Sequence, residues 1–287
     1  MTMTTTILVP GATGQVGKRF VPRLLQGTAA GEPVRVLVRD EERAARFTAL
    51  GAEAVIGDLR EADSRKRALD GAEAVVNVAA AFRGVPEAES WAVNRDAAVA
   101  LGREAVEAGV RRFVQTSTNL VYGAGRGRPA APADELRPES SWGVYPRSKA
   151  EAEAGLAAVP GLDPVVVRLA FVYGEGDPHL AQAARFIADW PAHKRLPMVH
   201  HADVAQALHR ALRTPGVEGR AFNATDDAPV TAWDLHRLNG TTFPPANADA
   251  LDPDPWNGVA DNLSLRAELG WRPLYPSVWT ARDAGAL

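Results

Sequence analysis

The sequence predicts an α/β protein with a doubly wound parallel sheet and a smaller C-terminal portion. Three observations support this prediction: short runs rich in Val, Ile and Leu, helical patterns between them, and a glycine-rich turn after the first run. Near-continuous apolar runs are typical of parallel strands that helices cover on both faces. Repeated alternation of strand and helix then requires right-handed crossovers within one sheet.

The strands of this sheet are predicted from six apolar runs. These runs are TTILV (5–9), VRVLV (34–38), AEAVIG (52–57), AEAVVNVAA (72–80), RRFVQTS (111–117) and PVVVRLAFVYG (164–174). Beyond Gly174 the alternation is lost, although a helical pattern follows at 203–212 and a short strand pattern at 219–225. We therefore predict a dinucleotide-binding domain over 1–172, to which 199–223 returns. A smaller substrate-binding domain is predicted over 173–198 and 224–287.

The composition excludes several classes of protein. The chain has 287 residues, of which 46% are hydrophobic and 23% charged, and its net charge of -3 gives no basic footprint for nucleic acid. There is no cysteine, so disulfides and thiolate metal sites are excluded. No apolar run approaches the length of a membrane span. We expect a cytoplasmic protein with a small-molecule substrate and no metal, nucleic-acid or membrane partner; the adjacent His200 and His201 lack a metal-binding spacing.

A glycine-rich segment, GATGQVG (11–17), follows the first predicted strand and begins the first predicted helix. Glycines at this spacing let the backbone turn tightly and approach a pyrophosphate, whose charge lies at the helix N-terminus. The arrangement is typical of a Rossmann-type dinucleotide site. We predict a nicotinamide cofactor held by Gly11, Thr13, Gly14, Gln15, Val16 and Gly17.

The ends of the second and third strands indicate which cofactor is bound. An acidic residue after strand two holds the ribose hydroxyls of NAD, whereas an arginine accommodates the 2′-phosphate of NADP. Arg39 is followed by Asp40, so the pattern favours NADP and leaves NAD open. After strand three, Asp58 offers a carboxylate to the adenine amino group, and Leu59 lies beside it.

A tyrosine and a lysine stand four residues apart in GVYPRSKAE (143–151). Proline suits the first helical position, and residues i and i+4 share a helix face, so Tyr145 and Lys149 are expected on one face. Ketone reduction needs a proton donor close to the carbonyl oxygen. An ammonium about 4 Å away supplies the ~4 kcal/mol that lowers a tyrosine pKa from about 10 towards neutrality. The pair therefore predicts a proton-transfer site; the alternative is an ordinary surface helix.

Motifs along nearly the whole chain give it a family resemblance. GATGQVG, GDL (57–59), AVNRDA (92–97), TSTNLVYG (116–123), YPRSK, VVVRLAFVYGEG, MVHHADVA (198–205) and AELGWRP (267–273) occur in the family's order. The chain resembles an extended short-chain dehydrogenase/reductase of the NAD-dependent epimerase/dehydratase group.

The resemblance implies roles for particular residues. Tyr145 would be the proton donor or acceptor, Lys149 would bind the nicotinamide ribose, and Thr118 would take the place of the catalytic Ser/Thr. A hydroxyl at Thr118 suits this chemistry, because it can hold the carbonyl oxygen in place. Ala79, Ala80, Asn94 and Ala170 belong to the implied cofactor site.

Departures from the family pattern bear on the substrate. Asn119 and Leu120 replace the Asp-Glu pair of sugar-nucleotide 4,6-dehydratases, which excludes that reaction. Phe171 replaces a common asparagine, and Leu196 replaces a diphosphate-binding arginine, although the adjacent Arg195 could compensate. The sequence-predicted substrate contacts are Phe82, Asn119, Trp142 and Phe171. Their aromatic rings indicate an apolar pocket, while core packing is the alternative.

Three functions are consistent with the sequence. The leading hypothesis is an NADPH-dependent ketoreductase, or the reverse alcohol dehydrogenase, that acts on an apolar or mixed carbonyl compound. The second is a sugar-nucleotide epimerase or ketoreductase, and the third is an NADP-sensing protein without catalysis. Alanine-rich helices at 93–108 and 147–158, which the family commonly pairs between subunits, predict a homodimer.

Overall fold

A seven-stranded parallel sheet lies at the centre of the computed structural model, which describes residues 6–28, 32–138 and 143–287. Its strands in spatial order are β10 (Ala221–Ala224), β6 (Val165–Leu169), β5 (Arg112–Thr118), β4 (Ala72–Asn77), β1 (Thr6–Pro10), β2 (Val34–Val38) and β3 (Glu53–Ile56). The strand order reverses between β1 and β4, which is the switch point of a doubly wound sheet. The predicted Rossmann-type fold is confirmed.

Both faces of the sheet are covered, as the apolar runs predicted. Along β1, Ile7 and Val9 belong to one buried core, whereas Leu8 between them belongs to the core on the opposite face. Successive side chains of a strand point to opposite faces, so a run with no polar residue supplies both cores.

The sixth predicted strand is divided, and its second half leaves the main sheet. Residues 165–169 form β6, but Phe171–Tyr173 forms a separate strand, β7, that pairs with β9 (Met198–His200). The change occurs at Ala170, whose N–H donates to the carbonyl of Ala224, while the next N–H, from Phe171, donates to Pro197. A third pairing, antiparallel, joins β8 (Arg195–Leu196) to β11 (Val230–Thr231).

Helices connect the strands and cover the sheet. In chain order they are α1 (Gly17–Gly27), α2 (Glu41–Thr48), α3 (Ala62–Leu69), α4 (Glu87–Trp91), α5 (Ala98–Glu107), α6 (Val144–Ala157), α7 (His179–Gln182), α8 (Ala184–Ile187), α9 (His201–Arg213), α10 (Ala232–Leu238), α11 (Leu263–Leu269) and α12 (Val278–Asp283). Thr231 and Asp234 form a capping box at the start of α10. No helix within the described ranges is long and apolar enough to cross a membrane.

Helices α5 and α6 pack closely against each other through glycines. A side chain at Gly102 would approach Leu156 to 2.5 Å, and one at Gly155 would approach Val99 to 2.6 Å. Small residues on these helices therefore serve packing within one chain, and the homodimer stays a prediction. Proline 146 is the third residue of α6 rather than the first, because the helix already begins at Val144.

The C-terminal portion packs over the carboxyl edge of the sheet. Its own core includes Tyr173, Leu196 and Leu235. Strand β10 lies in the main sheet beside β6, so the chain returns to the first portion before it leaves again. The domain boundaries derived from the sequence remain predictions.

Candidate active site

A cavity of about 580 Å³ opens at the carboxyl edge of the sheet, where loops after several strands meet. This edge is where open α/β sheets bind ligands. The sequence-predicted residues that line it are Gly11, Thr13, Gly14, Gln15, Val16, Arg39, Asp58, Leu59, Ala79, Ala80, Phe82, Thr118, Asn119, Tyr145, Lys149, Ala170 and Phe171. Gly17 and Asn94 lie outside this lining, and Trp142 lies outside the described residues.

The three glycines of the first loop have different tasks. Gly11 has a φ of 83°, and a Cβ there would meet the Ala79 nitrogen at 2.4 Å. At Gly17 a Cβ would meet the Gly11 carbonyl oxygen at 2.3 Å, so this glycine lets α1 start against the loop. Gly14 lines the cavity, and a Cβ there would meet no protein atom closer than the Gly11 oxygen, at 3.4 Å. A turn, an open face for the ligand and close helix packing are the features by which such loops accept a dinucleotide pyrophosphate.

Asn94 supports the cavity wall from behind. Its side chain accepts a hydrogen bond from the Ala81 N–H and donates to the Ala81 carbonyl, both at 2.9 Å. It also donates to the Ser148 hydroxyl at 3.0 Å, which ties the loop after β4 to α6. The residue belongs to a π-helical turn, Ala92–Ala97, a feature that is frequent at functional sites. Asn94 therefore holds the Ala81 backbone in place, and its predicted role at the cofactor stays a prediction.

The end of the cavity that is predicted to hold the adenine carries charged side chains. Asp58 pairs with Arg60 at 2.7 Å, and this hydrogen bond lowers the pKa of the Asp58 carboxyl. Arg39 lines the cavity and is exposed. The Asp40 carboxylate instead caps α2 by accepting from the Arg43 N–H at 2.9 Å, and it also pairs with the Arg43 guanidinium.

Lys149 is buried at the floor of the cavity. Its ammonium donates to the carbonyls of Ala79 and Thr116, each at 3.2 Å, and so joins α6 to the ends of two neighbouring strands. Burial lowers the pKa of Lys149 to about 8, against the opposing charge of Glu153 one turn further along α6. Glu153 is held by Arg168 of β6 at 2.6 Å, which fixes the helix on the sheet.

Tyr145 lines the cavity one helical turn before Lys149, with its ring 4.3 Å from that of Phe82. Burial raises the pKa of Tyr145, and the charge that opposes the rise is the guanidinium of Arg83. This differs from the sequence argument, which assigned the lowering of this pKa to Lys149. The reason is visible in the structure: the lysine charge faces two backbone carbonyls.

The third member of the predicted trio, Thr118, ends β5. Its hydroxyl accepts from the Leu120 N–H at 3.3 Å and caps a short 3-10 turn, Asn119–Tyr122. The Asn119 side chain donates to the Gly258 carbonyl at 2.5 Å, which connects this wall to the C-terminal portion. Beside them, the buried Ser117 hydroxyl lines the cavity and has no hydrogen-bond partner within the described part of the chain.

The sequence reasoning missed several polar residues of the cavity wall. Arg83, Asp177, His179 and His201 all line it. The Asp177 carboxylate contacts the His201 ring at 2.6 Å and lies 3.4 Å from that of His179. Burial lowers the pKa of both histidines, against the raising effect of the Asp177 carboxylate. The sequence could have indicated Arg83 and Asp177 through their positions, because they lie in loops that follow β4 and β7, at the ligand-binding edge of the sheet.

Comparison with known proteins agrees with this geometry. A profile for NAD(P)H-binding proteins matches residues 11–215. Sterol demethylase protein B of Methylococcus capsulatus is 32% identical over 89% of this chain and 80% of its own length. A 4-hydroxy-2-methyl-3-oxo-4-farnesyl-3,4-dihydroquinoline-1-oxide ketoreductase of Stigmatella aurantiaca is 33% identical, over 77% of this chain and 68% of its own.

A solved structure shows the same fold. It is that of a short-chain dehydrogenase/reductase superfamily protein from Agrobacterium tumefaciens with bound NAD, with a TM-score of 0.78 and 21% identity over 97% of this chain and 95% of that one. The glycine loop, the profile match and the two relatives agree on one conclusion. The chain is an NAD(P)-dependent enzyme that belongs to the extended short-chain dehydrogenase/reductases of the epimerase/dehydratase group.

Proposed function

We propose that the protein is an NADPH-dependent ketoreductase for an apolar small molecule, with Tyr145 as the proton donor. One observation carries this proposal. Tyr145 lines the same cavity as the glycine loop, and burial raises the pKa of its hydroxyl. A phenol keeps its proton at neutral pH, so it can donate that proton when a carbonyl oxygen gains negative charge.

The choice of NADPH rests on the end of β2. Arg39 is exposed in the cavity lining, where a guanidinium suits a 2′-phosphate. Asp40 is the residue that would favour NAD, but its carboxylate is engaged in capping α2 and pairing with Arg43. The open face of Gly14 suits the pyrophosphate. When bound, the cofactor supplies the hydride.

The remaining steps belong to residues of the chain. The hydroxyl of Thr118 would hold the carbonyl oxygen, and the buried Lys149 ammonium would donate to the ribose. Tyr145 would then transfer its proton to that oxygen, and the alcohol would leave. The proton transferred is replaced from solvent between turnovers.

An apolar substrate is supported by the far wall of the cavity. Phe82, Phe171, Phe186 and Trp190 line it, and the Phe171 ring lies 6.1 Å from that of Phe186. The two curated relatives carry names that refer to a sterol and to a farnesylated quinoline, and both are apolar ring compounds. Arg195 also lines the cavity, which favours a sugar nucleotide as the second candidate. Its guanidinium, however, lies over the ring of Trp256, and Leu196 beside it is buried.

The proposal is tested by replacing Tyr145 with phenylalanine. This change keeps the ring and its contact with Phe82 but removes the hydroxyl, so turnover of aromatic ketones should fall by ~10²–10⁴-fold. The dissociation constant of NADPH should stay within about twofold, because Tyr145 has no part in holding the phosphates. Rates with NADPH and fluorescence titrations of the cofactor give both quantities. Near-normal turnover under conditions in which hydride transfer limits the rate would disprove the role of Tyr145.

A further inference from the structure

Arg83 lines the cavity, where its guanidinium contacts two aromatic rings. Its guanidinium carbon is 4.8 Å from the ring centre of Phe82 and 4.8 Å from that of Phe186, so two aromatic rings hold it. The same Phe82 ring contacts Tyr145 at 4.3 Å. The Phe82 ring therefore contacts both the guanidinium and the proposed proton donor. An arginine held between rings is fixed in position without losing its N–H donors.

The charge of Arg83 has no ion-pair partner among the described residues, although the Asp177 carboxylate lies close enough to raise its pKa against the effect of burial. Within the described ranges, no carboxylate lies within ion-pair distance of this guanidinium, and its N–H groups donate no hydrogen bond. The residue as a whole is exposed at the mouth of the cavity, yet the rings shield its charged end, and this burial lowers the pKa of Arg83. An arginine stays charged in spite of such a shift. The cavity therefore presents a fixed cation.

The backbone at this position is also unusual. Arg83 has a φ of 48°, in the left-handed region that non-glycine residues rarely adopt, and Gly84 follows with a φ of 69°. Such a conformation costs on the order of 1–3 kcal/mol and is concentrated at ligand-binding sites. The strained turn directs the side chain towards the rings of the C-terminal portion instead of along the protein surface.

We propose that Arg83 forms an anion-binding subsite for the substrate, and that the substrate carries a carboxylate close to the carbonyl group that is reduced. A planar guanidinium binds a carboxylate through two parallel hydrogen bonds, which fixes the orientation of the ligand as well as its position. The aromatic wall would hold the apolar part of the same molecule. This inference rests on the proposed function, because it assigns a substrate class to the same cavity.

The phosphates of the cofactor are the other source of negative charge that this arginine could bind. The two sources differ in what the loss of Arg83 changes. A cofactor contact would alter the affinity for NADPH, whereas a substrate contact would alter the preference between an acid and its ester. Methionine is a suitable replacement, because it retains the length of the side chain and, like arginine, carries a Cβ, so the strain of the turn is unchanged.

The test uses the whole protein loaded with NADP⁺ and a pair of probes, 4-oxo-4-phenylbutanoate and its methyl ester. Isothermal titration should show that wild type binds the acid at least ~10-fold more tightly than the ester, the value of about one charge-assisted hydrogen bond. Arg83→Met should lose this preference, and Arg83→Lys should retain part of it. Arg185→Met is the matched control: Arg185 lies on α8 next to Phe186 and is absent from the cavity lining of the described chain, so the preference should survive.

Affinity for NADPH distinguishes the two anion sources. In Arg83→Met it should stay within about twofold of wild type. Weakening by tenfold or more would assign Arg83 to the cofactor phosphates and overturn the proposal. Equal binding of acid and ester by wild type, no binding of the acid, or a preference that survives in Arg83→Met would overturn it as well. Because these are binding measurements, they stand apart from the loss of turnover that tests Tyr145.

Discussion

The two ends of the cavity are built in different ways. At the proposed cofactor end, backbone geometry decides the shape: a Cβ at Gly11 or Gly17 would meet other backbone atoms at 2.4 and 2.3 Å, so both positions require glycine. At the substrate end, the wall consists of side chains such as Phe82, Arg83 and Phe186, which come from a strained turn and a four-residue helix. A site that is shaped by backbone atoms tolerates few substitutions, whereas a wall that is formed by side chains can change one residue at a time. The residues of the cofactor end therefore indicate the family, whereas the substrate class can be inferred only from the residues of the substrate end.

Lys149 lies where the two ends of the cavity meet, and its replacement should cause the largest loss of activity. Lys149→Met removes the donor that both the Ala79 and Thr116 carbonyls share, along with the proposed ribose contact. We expect turnover to fall by ~10²–10⁴-fold and the affinity for NADPH to weaken as well. Steady-state rates and cofactor titrations would show this.

Thr118→Val provides the contrast for that experiment. It should lower turnover and leave the affinity for NADPH nearly intact, because Thr118 is proposed to contact only the substrate carbonyl. If Lys149→Met bound NADPH as tightly as wild type, the lysine would belong to the substrate end alone.

Within the cofactor end, two glycines should respond differently to the same small change. Gly17→Ala forces a Cβ against the Gly11 oxygen and the Ala12 Cα, and we expect a loss of ~1–3 kcal/mol in unfolding free energy. Thermal melting should show this as a decrease in Tm of about 2–8 °C.

Gly14→Ala meets no protein atom closer than 3.4 Å, so its melting temperature should match that of wild type. Its added methyl group faces the cavity, where it should weaken NADPH binding by about tenfold, or ~1.4 kcal/mol. A Gly14→Ala protein with unchanged cofactor affinity would place the pyrophosphate elsewhere.

The smallest expected effect concerns the choice between the two cofactors. Arg39→Ala should reduce the preference for NADPH over NADH by about tenfold, through loss of a charge-assisted contact to the 2′-phosphate. Asp40→Ala should instead lower stability by ~1 kcal/mol through loss of the α2 cap, and leave the preference unchanged. Titration of each protein with both cofactors would measure the ratio; equal ratios in wild type and Arg39→Ala would contradict the assignment.

The part of the fold that could be predicted from the sequence is the part that local patterns decide. The strands of the sheet and the glycine loop were predictable, because apolar runs and glycine spacing are local patterns with one structural solution. The division of the sixth run at Ala170 was not, since it depends on hydrogen bonds with Ala224 and Pro197, distant in the chain. The α9 helix shows the same limit: its N-terminus is capped by the His200 ring, while Asp203 in its first turn accepts hydrogen bonds from the distant Leu274 and Tyr275.

The candidate site was predictable to a similar extent. Tyr145, Lys149 and Thr118 were found because the family motif contains them. Arg83 and His179 belong to no motif, and only the fold brings them into the cavity. The hydrogen bonds of Asn94 to the Ala81 backbone could not be predicted, because a buried amide that holds backbone has the same sequence signature as one that contacts a ligand.

Arg19 sets the width of the gap into which a ligand must fit. From α1 its guanidinium donates to the Gln15 carbonyl at 3.0 Å and, across the gap, to the Glu175 carbonyl at 2.7 Å. The Arg19 side chain thus connects the glycine loop to the segment that precedes His179. Any widening of the cleft here has to break these bonds. We therefore expect that new substrate preferences arise in this protein through exchange of wall residues, while the spacing between its two halves stays constant.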